Sequence, residues 1–226
     1  MPERVTFKTR DDVTIVGDWQ PVPSLRGAII LVHMMPETRK SWGNMQRALT
    51  KRGIASLAID LRGHGESLEG SEGEILDYKR FTDEEHESYA LDALAALDWL
   101  RGRDLTVDRV FIAGASIGAN VALQLLAEEP RMPGAILFSA GRNYHGLQAL
   151  VDAQDLLPHQ ALMLVAAQDD AQPFEDTKAL YEEAPVEDKT FLPYKIAGHG
   201  TAILNADSGL GDKIAEWAQI RLNTKV

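Results

Sequence analysis

The stretch Arg109-Val110-Phe111-Ile112-Ala113-Gly114-Ala115-Ser116-Ile117-Gly118-Ala119-Asn120-Val121-Ala122-Leu123-Gln124-Leu125-Leu126-Ala127-Glu128 carries a strand, a sharp turn and a helix in one run. Arg109–Ala113 has the length and apolar content of a strand buried on both faces. Ala119–Glu128 is rich in good helix formers. Between them residues 114–118 read Gly-x-Ser-x-Gly. Glycine has no Cβ, so the pair permits a turn tight enough to lift Ser116 Oγ clear of the sheet edge while the helix packs close behind. The pentapeptide alone is a weak signal; its place between strand and helix makes it a strong one.

Outward from that point the same alternation recurs. Ala28–Val32, Ile54–Ile59, Gly134–Ser139 and Ala161–Ala166 are short apolar runs expected as central strands, and a last strand is expected near Thr190–Ile196. Two earlier segments, Val5–Lys8 and Thr14–Trp19, flank Arg10-Asp11-Asp12, which predicts a turn between antiparallel strands at one edge. Helical stripes lie between these runs. Ser41-Trp42 opens one that carries Trp42, Met45 and Leu49 and stops near Gly53. Thr82 and Glu85 form a capping-box pattern ahead of a helix expected to reach about Arg101 with Ala90, Leu94 and Leu97 on one face, and Ile214, Trp217 and Ala218 mark a last helix. Glu66–Glu87, dense in Glu, Asp, Gly and Ser, is expected as a solvated loop. Strands alternating with helices predict an α/β fold with a mostly parallel sheet of about eight strands, helices on both faces, and one domain over residues 1–226.

Composition narrows the function classes. Hydrophobic residues make up 45% and charged residues 25%, an ordinary globular balance. A net charge of −11 repels phosphate backbones and anionic lipid surfaces, which argues against a nucleic-acid partner. No apolar run approaches the roughly 20 residues that span a bilayer, and Met1–Arg10 lacks a signal-peptide core, so a cytoplasmic location without membrane association is expected. There is no cysteine, so a covalent catalyst must use oxygen or nitrogen, and no cysteine-ligated metal is expected.

A serine hydroxyl becomes a useful nucleophile when a base removes its proton during attack. The histidines are His33, His64, His86, His145, His159 and His199. His86 lies in an acidic run and is expected to be solvated; His145 and His159 lie in irregular sequence with no supporting pattern. His199 sits in Ala197-Gly198-His199-Gly200-Thr201, a Gly-flanked loop just past the last expected strand, where open α/β sheets carry their sites. The strand Ala161–Ala166 ends at Gln168-Asp169-Asp170, and either carboxylate would orient the imidazole while its neighbour caps the next helix, expected near Pro173. An oxyanion needs preorganised donors: the N–H of Ile117 is one, and a second is expected from Leu31–Pro36, after a strand.

These residues resemble a known family. His33-Met34-Met35 is similar to the His-Gly-x oxyanion loop of α/β-hydrolases, and residues 60–67, Asp-Leu-Arg-Gly-His-Gly-Glu-Ser, to the D-x-R-G-x-G-x-S loop common there. With Gly114–Gly118, Gln168–Asp170 and Gly198–Thr201 the resemblance runs along nearly the whole chain. It implies an α/β-hydrolase fold without a cap domain, in the lidless esterase and dienelactone-hydrolase-like branch. It implies Ser116, Asp170 and His199 as a triad, Asp170 because Ala167 stands where a G-x-x-D glycine would. It also implies Met35 as the second oxyanion donor, with Met34 in the usual glycine position keeping that choice open, and structural places for His33 and His64. Dienelactone hydrolases use a cysteine nucleophile, which this chain lacks. The expected activity is hydrolysis of short-chain carboxylic esters through an acyl-enzyme, with no cofactor or metal, a small-molecule ester as partner, and a homodimer left open. Thioesterase, lactonase or peptidase chemistry on the same groups, or a binding protein that kept the fold, are the alternatives.

Overall fold

The computed structural model describes residues 2–223. Its strands are β1 (Glu3–Lys8), β2 (Thr14–Gln20), β3 (Ala28–Val32), β4 (Ala55–Ile59), β5 (Val110–Ala115), β6 (Gly134–Phe138), β7 (Ala161–Ala167) and β8 (Asp188–Tyr194). They form an eight-stranded sheet in the order β1-β2-β4-β3-β5-β6-β7-β8. β2 runs antiparallel to both β1 and β4, and every other pairing is parallel. The α-helices are α1 (Gly43–Lys51), α2 (Asp83–Glu87), α3 (Tyr89–Arg101), α4 (Ile117–Glu128), α5 (Ala149–Asp152), α6 (Ala171–Glu183), α7 (Ala202–Ala206) and α8 (Leu210–Asn223).

The central strands are apolar at every position because both faces are covered. In β3, Ile30 and Val32 face a core shared with Leu97, Leu100, Val121 and Leu125, whereas Ile29 and Leu31 face one shared with Trp42, Met45, Ile214 and Trp217. Helices α3 and α4 therefore cover one face, and α1 and α8 the other. Along residues 139–160, between β6 and β7, the only helical structure is α5 and one 3-10 turn at Ala153–Asp155, so no cap domain sits there. No helix of the described residues is long and apolar enough to cross a membrane.

Several expectations need correcting. The helix headed by the Thr82–Glu85 capping box breaks at Ser88 into α2 and α3. The buried stripe of α3 runs through Tyr89, Ala93, Ala96, Leu97 and Leu100, and Ala90 and Leu94 are only half-buried. His86 is buried, not solvated: it is the one residue of the acidic α2 that turns inward, between the rings of Phe81 and Tyr89. The last strand ends two residues early, at Tyr194, because the apolar Ile196 that extended it is 83% exposed. The loop Glu66–Glu87 is largely exposed, but its Ser67 is buried and accepts from Val16 N–H at 2.9 Å.

Candidate active site

Ser116 occupies the turn between β5 and α4 with φ 54° and ψ −123°, a left-handed conformation that costs a non-glycine residue energy and clusters at functional sites. Its N–H donates to Phe138 O at 2.8 Å and its carbonyl accepts from Ala119 N–H at 2.8 Å, so the strain is held from both sides. Both glycines are required by close approach. A Cβ on Gly114 would stand 1.9 Å from Gly118 O, and one on Gly118 would stand 2.5 Å from the carbonyls of Val32 and His33. Ile117 opens α4, so its N–H lies among the first-turn donors that have no intrahelical acceptor, at the positive end of the helix.

The segment after β8 folds back onto this turn. Gly200 N–H donates to Ser139 Oγ at 3.0 Å, and a side chain on Gly200 would touch Ala115, the residue before Ser116. That brings the His199 loop beside the Ser116 turn. His199 Nδ1 lies 2.5 Å from Asp170 Oδ2, an ion-pair geometry with both side chains partly exposed. Asp169 points elsewhere: its carboxylate accepts from Ala197 N–H at 3.1 Å and from Gly198 N–H at 3.2 Å. Neither aspartate caps the next helix, which starts at Ala171 rather than near Pro173; Asp170 holds the N-cap position without a side-chain cap bond. The loop ahead of His199 supplies better-placed donors for Asp169 than the helix does.

The residues expected to form the oxyanion loop, His33-Met34-Met35, follow directly on the end of β3. His33 is buried; its Nδ1–H donates to Met34 O at 2.9 Å and its Nε2 accepts from Leu61 N–H at 3.0 Å. Burial pushes its pKa down to about 4 and that of His64 down to about 3, so both are neutral framework rings. Met34 and Met35 are half-buried, and the Met34 thioether fills the space beside Gly200 and Thr201. Within the trans Met34–Met35 peptide, a carbonyl committed to His33 sends the Met35 N–H the opposite way.

Sequence reasoning missed Tyr144. It lies in a turn held at both ends by Asn120 of α4: Asn120 Nδ2 donates to the carbonyls of Gly141 and Leu147, each at 2.9 Å, and Gly141 N–H donates to Asn120 Oδ1 at 3.2 Å. The Tyr144 phenol lies near the Ser116 side chain and donates weakly to Ser139 O at 3.4 Å. Burial raises its pKa, keeping it a protonated donor. The turn residues Asn143 and Gly146 were the available signal, since Asn143 Oδ1 accepts from Gly146 N–H at 2.9 Å. They mark a turn but not what it faces.

The family described as serine aminopeptidase, S33 matches residues 23–151, a stretch that includes Ser116 and the loop after β3 but ends before Asp170 and His199. A 2,6-dihydropseudooxynicotine hydrolase of Paenarthrobacter nicotinovorans is 28% identical over 116 residues, 50% of this chain but only 28% of that protein's length. Among solved structures, an esterase of Pyrococcus furiosus superposes with a TM-score of 0.79 at 19% identity, covering 99% of this chain and 93% of its own. An α/β hydrolase of Penicillium sp. sh18 superposes with a TM-score of 0.82 at 16% identity, covering 99% and 100%. At such identities the superpositions speak for the fold alone. The family match spans more than half of the chain, and the chain belongs to the serine aminopeptidase, S33 family of serine hydrolases, built on the α/β-hydrolase fold.

Proposed function

We propose that this hydrolase cleaves short-chain carboxylic esters with Ser116, His199 and Asp170 as its catalytic triad. The observation that carries the reading is the 2.5 Å contact between His199 Nδ1 and Asp170 Oδ2, on a loop packed against the strained turn that presents Ser116. Ser116 Oγ attacks the ester carbonyl carbon while its proton passes to His199 Nε2, and Asp170 holds the Nδ1–H tautomer and stabilises the imidazolium. The N–H groups of Ile117 and Met35 receive the oxyanion; the orientation of the Met34–Met35 peptide favours Met35 over Met34. Collapse expels the alcohol, which takes the proton from His199, and water then releases the acyl group by the same steps in reverse roles. No metal or organic cofactor enters this scheme.

The short connection over residues 139–160 supports a preference for small, soluble esters, since no helical lid is there to shelter a long acyl chain. The reading carries with it one hydrolase domain over residues 1–226 and a cytoplasmic setting, open to homodimerisation. A fluorophosphonate probe tests the chemistry: wild type should label and Ser116→Ala should not. A series of p-nitrophenyl esters tests the size preference, with acetate and butyrate expected above long acyl chains. The family description favours one second reading, a peptidase on the same groups. Hydrolysis of amino-acid p-nitroanilides faster than p-nitrophenyl acetate would select it.

A further inference from the structure

Outside the proposed triad, three potential metal ligands from two distant segments converge. Asp83 and His86 come from α2, and His145 from the turn that carries Tyr144; one ligand atom from each lies within 4.8 Å of the others. His145 Nδ1 is 3.0 Å from Asp83 Oδ1, and the rings of His86 and His145 lie face to face with centroids 4.2 Å apart. His86 is held as a ligating histidine is usually held: its Nδ1–H donates to the Thr82 carbonyl at 2.8 Å, which leaves Nε2 as the coordinating nitrogen. His145 adopts φ 50°, a left-handed conformation that a non-glycine residue keeps only where its surroundings impose it. The Glu87 carboxylate lies against neighbouring Gly146 and adds negative charge there.

We propose that Asp83, His86 and His145 form a binding site for a divalent transition-metal ion of the zinc type. Two imidazoles and one carboxylate are the ligand set of a three-residue zinc site that keeps a fourth position for water. Tetrahedral coordination needs ligand atoms about 3.3 Å apart. Asp83 and His145 are exposed and free to close that gap, with the His145 ring turning off its stack on His86 so that both nitrogen lone pairs aim at one point, while His86 stays fixed in the core. The ion takes the place of the proton between His145 Nδ1 and Asp83 Oδ1, and that proton moves to His145 Nε2 or to solvent. Because Tyr144 precedes His145, a bound ion ties the turn beside Ser116 to α2.

The site is independent of the triad assignment, and its test reads binding rather than turnover. Zinc chloride titrated into the full chain by isothermal calorimetry at neutral pH should show one equivalent bound with Kd below about 10 μM. His145→Ala and Asp83→Asn, both at exposed positions, should each weaken it about 10–100-fold with the thermal transition of the metal-free protein unchanged. Three results would overturn the proposal: no saturable binding below millimolar zinc, unchanged affinity in both variants, or affinity lost in His199→Ala instead.

Discussion

The loop that follows β4 and the loops that follow β5, β7 and β8 leave the sheet at the same end, and both are rich in Asp, His and Gly. In the first, Asp60 is fully buried and accepts from Arg39 N–H at 2.7 Å, from the Arg39 guanidinium and from Glu66 N–H at 2.9 Å. Arg62 donates to Asp92 through Nε at 2.8 Å and to Asp11 through Nη1 at 2.6 Å. Ser67 Oγ donates to Asp60 O at 2.8 Å. In the second region, Ser116 sits strained, and Asp170 and His199 pair with each other while partly exposed. A polar loop whose charged groups are paired with one another in the interior works as framework. One left partly open to solvent, with a strained residue at its centre, has polar groups to spend on a substrate.

Substitution on the open side should act on turnover. Ser116→Ala should lower ester hydrolysis by about 10⁵–10⁶-fold with little change in stability, because a small residue replaces a small one. Steady-state kinetics beside a urea titration reads both quantities; activity within tenfold of wild type would remove Ser116 from the chemistry. Asp170→Asn should lower kcat by about 10³–10⁴-fold, since an amide at 2.5 Å from His199 Nδ1 favours the wrong imidazole tautomer.

On the framework side the sign of the effect moves from rate to stability. Asp60→Asn leaves the Arg39 guanidinium buried with less compensation and should cost about 3–5 kcal/mol in denaturant unfolding. The activity of the molecules that remain folded should be close to wild type. A large drop in kcat at unchanged stability would erase the distinction between the two regions.

Asp169→Asn sharpens the contrast within the site. Asp169 only braces Ala197 and Gly198, so its amide should cost about 1 kcal/mol of stability and about tenfold in kcat as the His199 loop loosens. If Asp169→Asn proved worse than Asp170→Asn in kcat, the two residues would have to exchange roles.

The smallest expected effect is on pH stability. His33 and His64 have folded-state pKa values depressed by burial, to about 4 and about 3, so the unfolded chain binds protons first as pH falls below about 6.5. Stability is full above that value and is lost as pH falls towards 4. Asp92 and Asp152, both pushed up to about 6 by burial, work in the opposite sense between pH 4 and 6, but they stand against three histidines, since burial lowers His86 as well. Tm measured at pH 7, 6 and 5 should therefore decline, by about 2–4 °C for each kcal/mol lost. A Tm that stayed flat or rose on acidification would mean that the two rings are not desolvated.

The sequence by itself determined the strands with unbroken apolar runs, the capping box at Thr82, the strand–turn–helix around Ser116 and the inward stripe of the last helix. These depend on local periodicity and on glycine's missing Cβ, which neighbours in the chain report directly. Tertiary structure decided the rest. Asp169 and Asp170 carry the same side chain, and a resemblance in spacing is all that favours Asp170 in the sequence; the path of the loop after β8 is what sets Asp170 against His199 and Asp169 against the Ala197 and Gly198 amides. His86 reads as one polar residue among acids until Phe81, Tyr89 and His145 close around it. Tyr144 carries no motif, and it reaches Ser116 because Asn120, 24 positions earlier, ties down both ends of its turn. Contacts between residues far apart in the chain are set by packing, and no local pattern encodes them.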